Sequence, residues 1–160
     1  LEGLFLTLTI PAWSHNLGKR LIKAPKVYIN DMNLMSYLLN TDLNDLPQEN
    51  PILFGHALEN FVAVELAKQI TFSKTRSTLY HYRTSSNQEI DFILEGPQNH
   101  VVGIEVKANS KVSARDFKHL DALKNDLGTK FHRGFVLYQG NDITPFGADM
   151  WAIPITALWS

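Results

Sequence analysis

The sequence predicts an α/β fold with a mixed central sheet flanked by helices, in the order helix, three-strand meander, helix, strand. One observation is segment 52–70, where apolar residues recur every three and four positions with no proline inside, as is typical of an amphipathic helix. The other is a series of three strand-like runs separated only by short turn-forming segments, which indicates antiparallel neighbours. With 160 residues, 44% of them hydrophobic, the chain is long enough for one domain with its own core.

The segment before the long helix is less regular. Residues 1–25 contain glycine and proline at short intervals, so we expect a loop-rich junction to a further part of a longer protein, ahead of a domain that covers residues 26–160. Residues 26–29 are strand-like, and Asp31 stands at the N-cap position of a short helix. Residues 40–51 hold two prolines and several Asn and Asp residues, which predicts a loop.

After the long helix, strands and a second helix alternate. Ser113 and Asp116 have the spacing of a capping box, which marks the start of that helix. Because a crossover helix joins parallel strands, the strand that follows it should run parallel to the strand before it. The predicted elements are strands at 79–83, 89–94 and 101–108, a helix at 113–127, strands at 134–138 and 151–153, and a helical turn at 157–159.

Composition excludes several classes of function. The chain has no cysteine, which excludes disulfides, thiolate metal sites and a cysteine nucleophile and fits a reducing compartment, so a cytoplasmic location is expected. No apolar run approaches the roughly 20 residues that span a bilayer, and neither a membrane anchor nor a signal peptide is expected. The six histidines lack zinc-site spacing, and no P-loop occurs.

The charge pattern gives no strong indication of nucleic-acid binding by itself. The formal net charge is −1, whereas a domain that binds nucleic acid by charge alone would be strongly basic. Basic residues do cluster locally, within residues 19–26, 74–83 and 107–118. Each of these clusters, taken alone, is more typical of a solvated surface.

Two charged residues interrupt the third strand of the meander. Alternate residues of a strand point to the same face, so Glu105 and Lys107 share one face, while Val102, Ile104 and Val106 share the other. The sequence therefore aims a carboxylate and an ammonium group in the same direction.

A second acid, Asp91, interrupts the neighbouring apolar strand. If the hairpin register brings it beside Glu105, the two carboxylates repel unless a proton or a cation intervenes, and Mg²⁺ or Mn²⁺ would suit such oxygen ligands. With Lys107 alongside, this constellation suits phosphodiester hydrolysis. Glu59 lies along the apolar strip of the long helix and could supply a third acid, whereas Glu65 is expected to be a surface residue.

The spacing also allows a simpler arrangement. Asp91 and Lys107 could form a cross-strand ion pair, with Glu105 exposed at a sheet edge. Glu59 could likewise be a partly exposed helix residue with no part in a site. The sequence alone leaves both alternatives open.

Nearly the whole sequence resembles a domain of unknown function found at the C-terminal end of many bacterial and archaeal AAA-type ATPases. The resemblance is carried by Lys19-Arg20, residues 23–28 with Asp31, residues 55–62 with Glu65-Leu66, Tyr82-Arg83-Thr84, residues 89–92, residues 104–108, residues 134–140 and residues 153–159. That family is similar to a branch of the PD-(D/E)XK nuclease superfamily. The resemblance therefore implies a restriction-endonuclease-like core, which agrees with the order of elements predicted above.

The resemblance also implies roles for individual residues. Glu59, Asp91, Glu105 and Lys107 would form the catalytic motif, with Asp91 and Glu105 as ligands of Mg²⁺ or Mn²⁺ and the Val106 carbonyl as a third ligand. Lys107 would act as the base or stabilise developing charge. A proline of the superfamily motif is replaced here by isoleucine, a departure that the superfamily commonly tolerates.

Three functions follow as alternatives. The first is a nuclease that acts on DNA as the effector of an N-terminal ATPase region of the same protein. The second is a catalytically silent module that recognises nucleic acid or a protein partner. The third is a structural cap through which the ATPase forms oligomers.

Overall fold

A computed structural model describes residues 2–14, 24–84 and 88–159. The strands are β1 (Thr7–Ile10), β2 (Lys26–Ile29), β3 (Thr78–Arg83), β4 (Glu89–Glu95), β5 (Val101–Lys107), β6 (Phe131–Tyr138), β7 (Thr144–Pro145) and β8 (Met150–Pro154). The α-helices are α1 (Met32–Leu39), α2 (Leu46–Glu49), α3 (Pro51–Phe72) and α4 (Lys118–Leu127). Short 3-10 helices cover Glu2–Leu4, Pro97–Asn99, Ala114–Phe117, Gly128–Lys130 and Ile155–Trp159.

A six-stranded mixed sheet forms the centre of the fold, with strand order β3-β4-β5-β6-β8-β7. β3, β4 and β5 are antiparallel neighbours, so the predicted meander is confirmed. β6 is parallel to β5, as the crossover through α4 requires, and β8 is parallel to β6. The α/β class and the predicted order of elements are therefore confirmed.

The helices cover the two faces of this sheet. Because successive strand residues point to opposite faces, Phe92 packs with Val62 of α3, whereas the adjacent Ile93 packs with Leu120 of α4. On β5, Gly103 faces α4, and a Cβ atom there would lie 2.5 Å from the Leu120 Cδ2 atom. The close packing of α4 on β5 thus requires the smallest residue at this position.

The N-terminal segment departs from the predicted loop-rich junction. β1 pairs antiparallel with β2 in a separate two-stranded sheet, and Ile10, Ala12 and Trp13 are buried. The Trp13 N–H donates to the His81 carbonyl of β3 at 2.6 Å, which attaches the segment to the main sheet. Ordered structure therefore begins well before residue 25, while the predicted domain boundary remains a prediction.

Other differences are small. The predicted loop at 40–51 contains α2, and β7 was not predicted. Most of the basic cluster within residues 19–26, and the turn formers at 85–87, lie outside the described residues. In the part of the chain that the structure describes, no helix is long and apolar enough to cross a membrane.

Candidate active site

The two strand acids lie where the β4–β5 ladder ends. The last pairing toward this end joins Phe92 to Ile104, so Asp91 and Glu105 are the next residues on their strands. Asp91 does not continue the ladder by its backbone. Its Oδ2 atom instead accepts a hydrogen bond from the Val106 N–H at 2.8 Å. The side chain of one strand thereby binds the backbone of the other, which fixes the carboxylate beside β5.

Glu105 is deeply buried, with only 4% of the residue exposed. Its Oε2 atom accepts a hydrogen bond from the Lys107 Nζ atom at 3.2 Å, which confirms that the two side chains share a face. Its Oε1 atom is buried and has no hydrogen-bond partner among the described residues. Since β5 lies inside the sheet between β4 and β6, the alternative of an exposed Glu105 at a sheet edge is wrong.

The acids perturb one another. Burial, the charge of Glu105 and the charge of Glu59 together raise the pKa of Asp91 to about 7. Burial also raises the pKa of Glu105, and the opposing effect of Lys107 does not cancel it. Burial alone would lower the pKa of Lys107, but the neighbouring carboxylates of Glu105 and Asp91 outweigh it and raise that pKa. The site therefore favours a bound proton or cation over two free carboxylates.

Glu59 reaches the same region from α3. Its Oε1 atom accepts hydrogen bonds from the Lys26 Nζ atom at 2.9 Å and from the Tyr28 hydroxyl at 2.6 Å. Glu59 and Asp91 line the same cleft, and the charge of Glu59 contributes to the raised pKa of Asp91. Glu59, Asp91 and Glu105 thus form an acid cluster, while the catalytic role of Glu59 remains a prediction. Glu65, by contrast, forms an ion pair with Lys68 at 2.7 Å, as expected, but its side chain is only 14% exposed, so the expectation of a surface position is wrong.

Sequence reasoning missed four residues of this cluster. Lys26 contacts Glu89 at 2.7 Å in addition to Glu59, and Tyr28 and His119 also contact cluster acids. Alternation could have identified Glu89, because it stands two residues before Asp91 on the same strand. Lys26, Glu59, Glu89 and Asp91 all line a cleft of about 670 Å³.

Of the two predicted metal ligands, Asp91 lines the cleft, whereas Glu105 is buried and is not among the residues that line it. Within residues 2–14, 24–84 and 88–159, no group of three or more His, Cys, Asp or Glu side chains is arranged to hold a metal ion. Mg²⁺ commonly uses only one or two carboxylates and keeps several waters, so Asp91 and Glu105 would suffice for it. The unpartnered Oε1 atom of Glu105 fits that use. The role of the Val106 carbonyl as a third ligand remains a prediction.

Comparison with known proteins identifies the family. Residues 54–158 match the family described as "Domain of unknown function (DUF4143)". The chain belongs to this family. Residues 1–45 match a second family of unknown function, DUF8612. The predicted catalytic residues lie in the DUF4143 segment, whereas Lys26 and Tyr28 lie in the DUF8612 segment, so the cleft is lined by residues of both.

Similar proteins occur in mycobacteria. Uncharacterised proteins of Mycobacterium tuberculosis and Mycobacterium bovis are each 30% identical to this chain over 142 residues. The aligned region covers 89% of the chain but only 30% of each relative, so the chain spans about 30% of the length of these curated relatives. No solved structure matches the chain significantly.

Proposed function

We propose that this domain is a metal-dependent nuclease of the PD-(D/E)XK type that hydrolyses phosphodiester bonds in DNA. The observation that carries the proposal is the Glu105 carboxylate, which is buried near Asp91. Its Oε2 atom accepts from Lys107, and its Oε1 atom has no partner within the part of the chain that the structure describes. An unsatisfied buried carboxylate oxygen costs about 1–3 kcal/mol or more, so the arrangement suits a cation ligand better than a structural ion pair. A restriction-endonuclease-like core is supported by the order of α3, the β3–β5 meander, α4 and β6.

Each residue of the motif has a role that its surroundings support. Asp91 and Glu105 would hold Mg²⁺ or Mn²⁺, with the Val106 carbonyl as a third ligand. When bound, such an ion lowers the pKa of a coordinated water and neutralises charge on a phosphate. Lys107 donates a hydrogen bond to the Glu105 Oε2 atom at 3.2 Å, which holds its ammonium group beside this carboxylate. There Lys107 would act as the base or stabilise the negative charge that develops on the phosphate.

Glu59 acts less directly in this proposal. Its carboxylate is engaged by Lys26 and Tyr28, so it would contribute mainly its negative charge to the cation site. The ATPase region implied by the resemblance would lie in the part of the protein beyond this chain. The nuclease domain would then act on DNA under the control of that region, in the cytoplasm.

Metal binding is the first test. Titration calorimetry should detect Mg²⁺ or Mn²⁺ binding to the wild-type domain, and Glu105→Gln should weaken or abolish it. Glu65→Gln is the matched control, because Glu65 pairs with Lys68 rather than with the acid cluster. A folded wild-type domain that binds neither ion would refute the nuclease and favour a silent interaction module.

Cleavage is the second test. With Mn²⁺, the wild-type domain should nick or cut at least one form of DNA, and Lys107→Ala should be inactive. Lys68→Ala serves as the control, since this exposed lysine pairs only with Glu65 in the contacts described. Equal cleavage by wild type and Lys107→Ala would point to a contaminating nuclease and contradict the proposed mechanism.

A further inference from the structure

His119, at the start of α4, lies beside both acid-bearing strands. Its Nδ1 atom lies 2.8 Å from the Glu89 carbonyl oxygen on β4 and 3.7 Å from the Glu105 Oε1 atom on β5. A carbonyl oxygen can only accept a hydrogen bond, so the Nδ1 atom must carry the hydrogen. That hydrogen is donated to Glu89, because 3.7 Å is too long for a hydrogen bond to Glu105.

The bond to Glu89 occurs where ordinary strand pairing with β5 has stopped. Beyond the Phe92–Ile104 pair, the β5 side of β4 is held by the contact between Asp91 and the Val106 N–H. On its other edge, β4 remains paired with β3 as far as Glu89. His119 adds a third attachment, from α4, two residues before Asp91. It thus restrains the end of β4 that carries the acid.

We propose that His119 is a positioning residue for the acid pair. By holding the Glu89 carbonyl, it fixes the separation of the Asp91 and Glu105 carboxylates. Because its hydrogen is already donated, His119 flanks the Oε1 atom of Glu105 without satisfying it, and this buried oxygen keeps its lone pairs for a divalent cation. This inference rests on the proposed metal site and concerns the geometry of its ligands.

Asparagine and glutamine variants of His119 separate a role of the Nδ1 atom from a role of the Nε2 atom on the opposite side of the ring. Asparagine places an amide N–H close to the position of the Nδ1 atom, whereas glutamine places one close to the position of Nε2. Residues that orient metal ligands typically change metal affinity about 10–100-fold when removed. We therefore expect His119→Ala and His119→Gln to weaken Mn²⁺ binding by about 10-fold or more. His119→Asn should bind nearly as tightly as wild type.

The measurement is Mn²⁺ titration calorimetry, with urea unfolding of each metal-free variant to compare stability. His132→Ala is the control, because that histidine is exposed on β6 and stacks only against His100 in the contacts described. If His119→Ala does not fold, the comparison of the asparagine and glutamine variants still decides the question.

The outcomes distinguish the two proposals. If every His119 variant binds Mn²⁺ with the affinity of the wild type, the positioning role is overturned, whereas the proposed metal site is not. Reduced stability with unchanged Mn²⁺ affinity overturns it as well, because only a structural role would remain. An asparagine variant as weak as alanine shows that the Nδ1 hydrogen bond is not responsible. Absence of binding by the wild type removes both proposals.

Discussion

Replacing Asp91 with asparagine should stabilise the metal-free domain at alkaline pH. The raised pKa of Asp91, about 7 compared with an ordinary value of 3.8, means that folding disfavours its charged form. Between these pH values the folded state holds a proton that the unfolded chain releases, so stability falls as pH rises through this range. Asp91→Asn removes the charge and keeps an oxygen that can accept from the Val106 N–H.

The size of the effect follows from the two pKa values. Each tenfold change in acid constant corresponds to about 1.4 kcal/mol, so the charged Asp91 costs at most about 4 kcal/mol above pH 7. Asp91 is only partly buried, and solvent screening reduces this figure. The amide of asparagine also brings a donor that needs a partner, at about 1 kcal/mol. We expect a net stabilisation of about 1–2 kcal/mol at about pH 8 and little change at about pH 5.

Urea unfolding in the presence of a chelator measures this difference. With a typical urea dependence of about 1–3 kcal/mol per molar, the midpoint of Asp91→Asn should rise by about 0.5–1 M at pH 8. Asp91→Ala should be less stable than Asp91→Asn at both pH values, because it leaves the Val106 N–H without its acceptor. A less stable asparagine variant at pH 8, or the same difference at both pH values, would refute the reasoning.

Three further predictions concern the same region. Mg²⁺ should raise the urea midpoint of the wild type at about pH 8 but not at about pH 5, because binding requires Asp91 to lose its proton. Lys26→Met should destabilise the domain by about 1–2 kcal/mol near neutral pH. Burial would raise the pKa of Glu89, but its hydrogen bond to Lys26 lowers that pKa. When the pH falls below about 4, Glu89 begins to take up a proton and its attraction to Lys26 weakens, so the loss of stability in Lys26→Met should shrink. Gly103→Ala should lower the free energy of unfolding by about 1–3 kcal/mol at either pH, because its Cβ atom would clash with Leu120. Gly55→Ala is the control in the same urea assay: Gly55 lies in an open part of α3, so this variant should be as stable as the wild type or slightly more stable.

Features that depend on near neighbours in the chain were predictable. Asp31 accepts from the Leu34 N–H at 2.9 Å as the N-cap of α1, and the Ser113–Asp116 capping box is formed. These contacts span three residues, so their spacing alone predicts them. The shared face of Glu105 and Lys107 follows from strand alternation in the same way.

Contacts between distant segments were not predictable from spacing. Lys26 meets Glu59 across 33 positions of the chain, because β2, which pairs with β1, lies against α3. The β4–β5 ladder ends at the Phe92–Ile104 pair, although strand alternation alone would let it continue. Local patterns in the sequence do not predict such contacts, so the sequence identified the acids but could not assign the surrounding cation and hydroxyl groups.

The acid cluster places carboxylates in the interior of the sheet, where apolar residues would be more stable. Asp91 interrupts an apolar strand, and Glu105 is buried within the sheet with an oxygen that has no partner among the described residues. Burial, together with the charge of Glu105, raises the pKa of Asp91. Local rules are most often broken at functional sites, where a ligand compensates the cost when it binds. A merely structural ion pair would have placed Lys107 between the two acids. Here Lys107 contacts Glu105 alone among the ion pairs described, and Asp91 is held by a backbone N–H, which favours a site that is completed by a cation from solution.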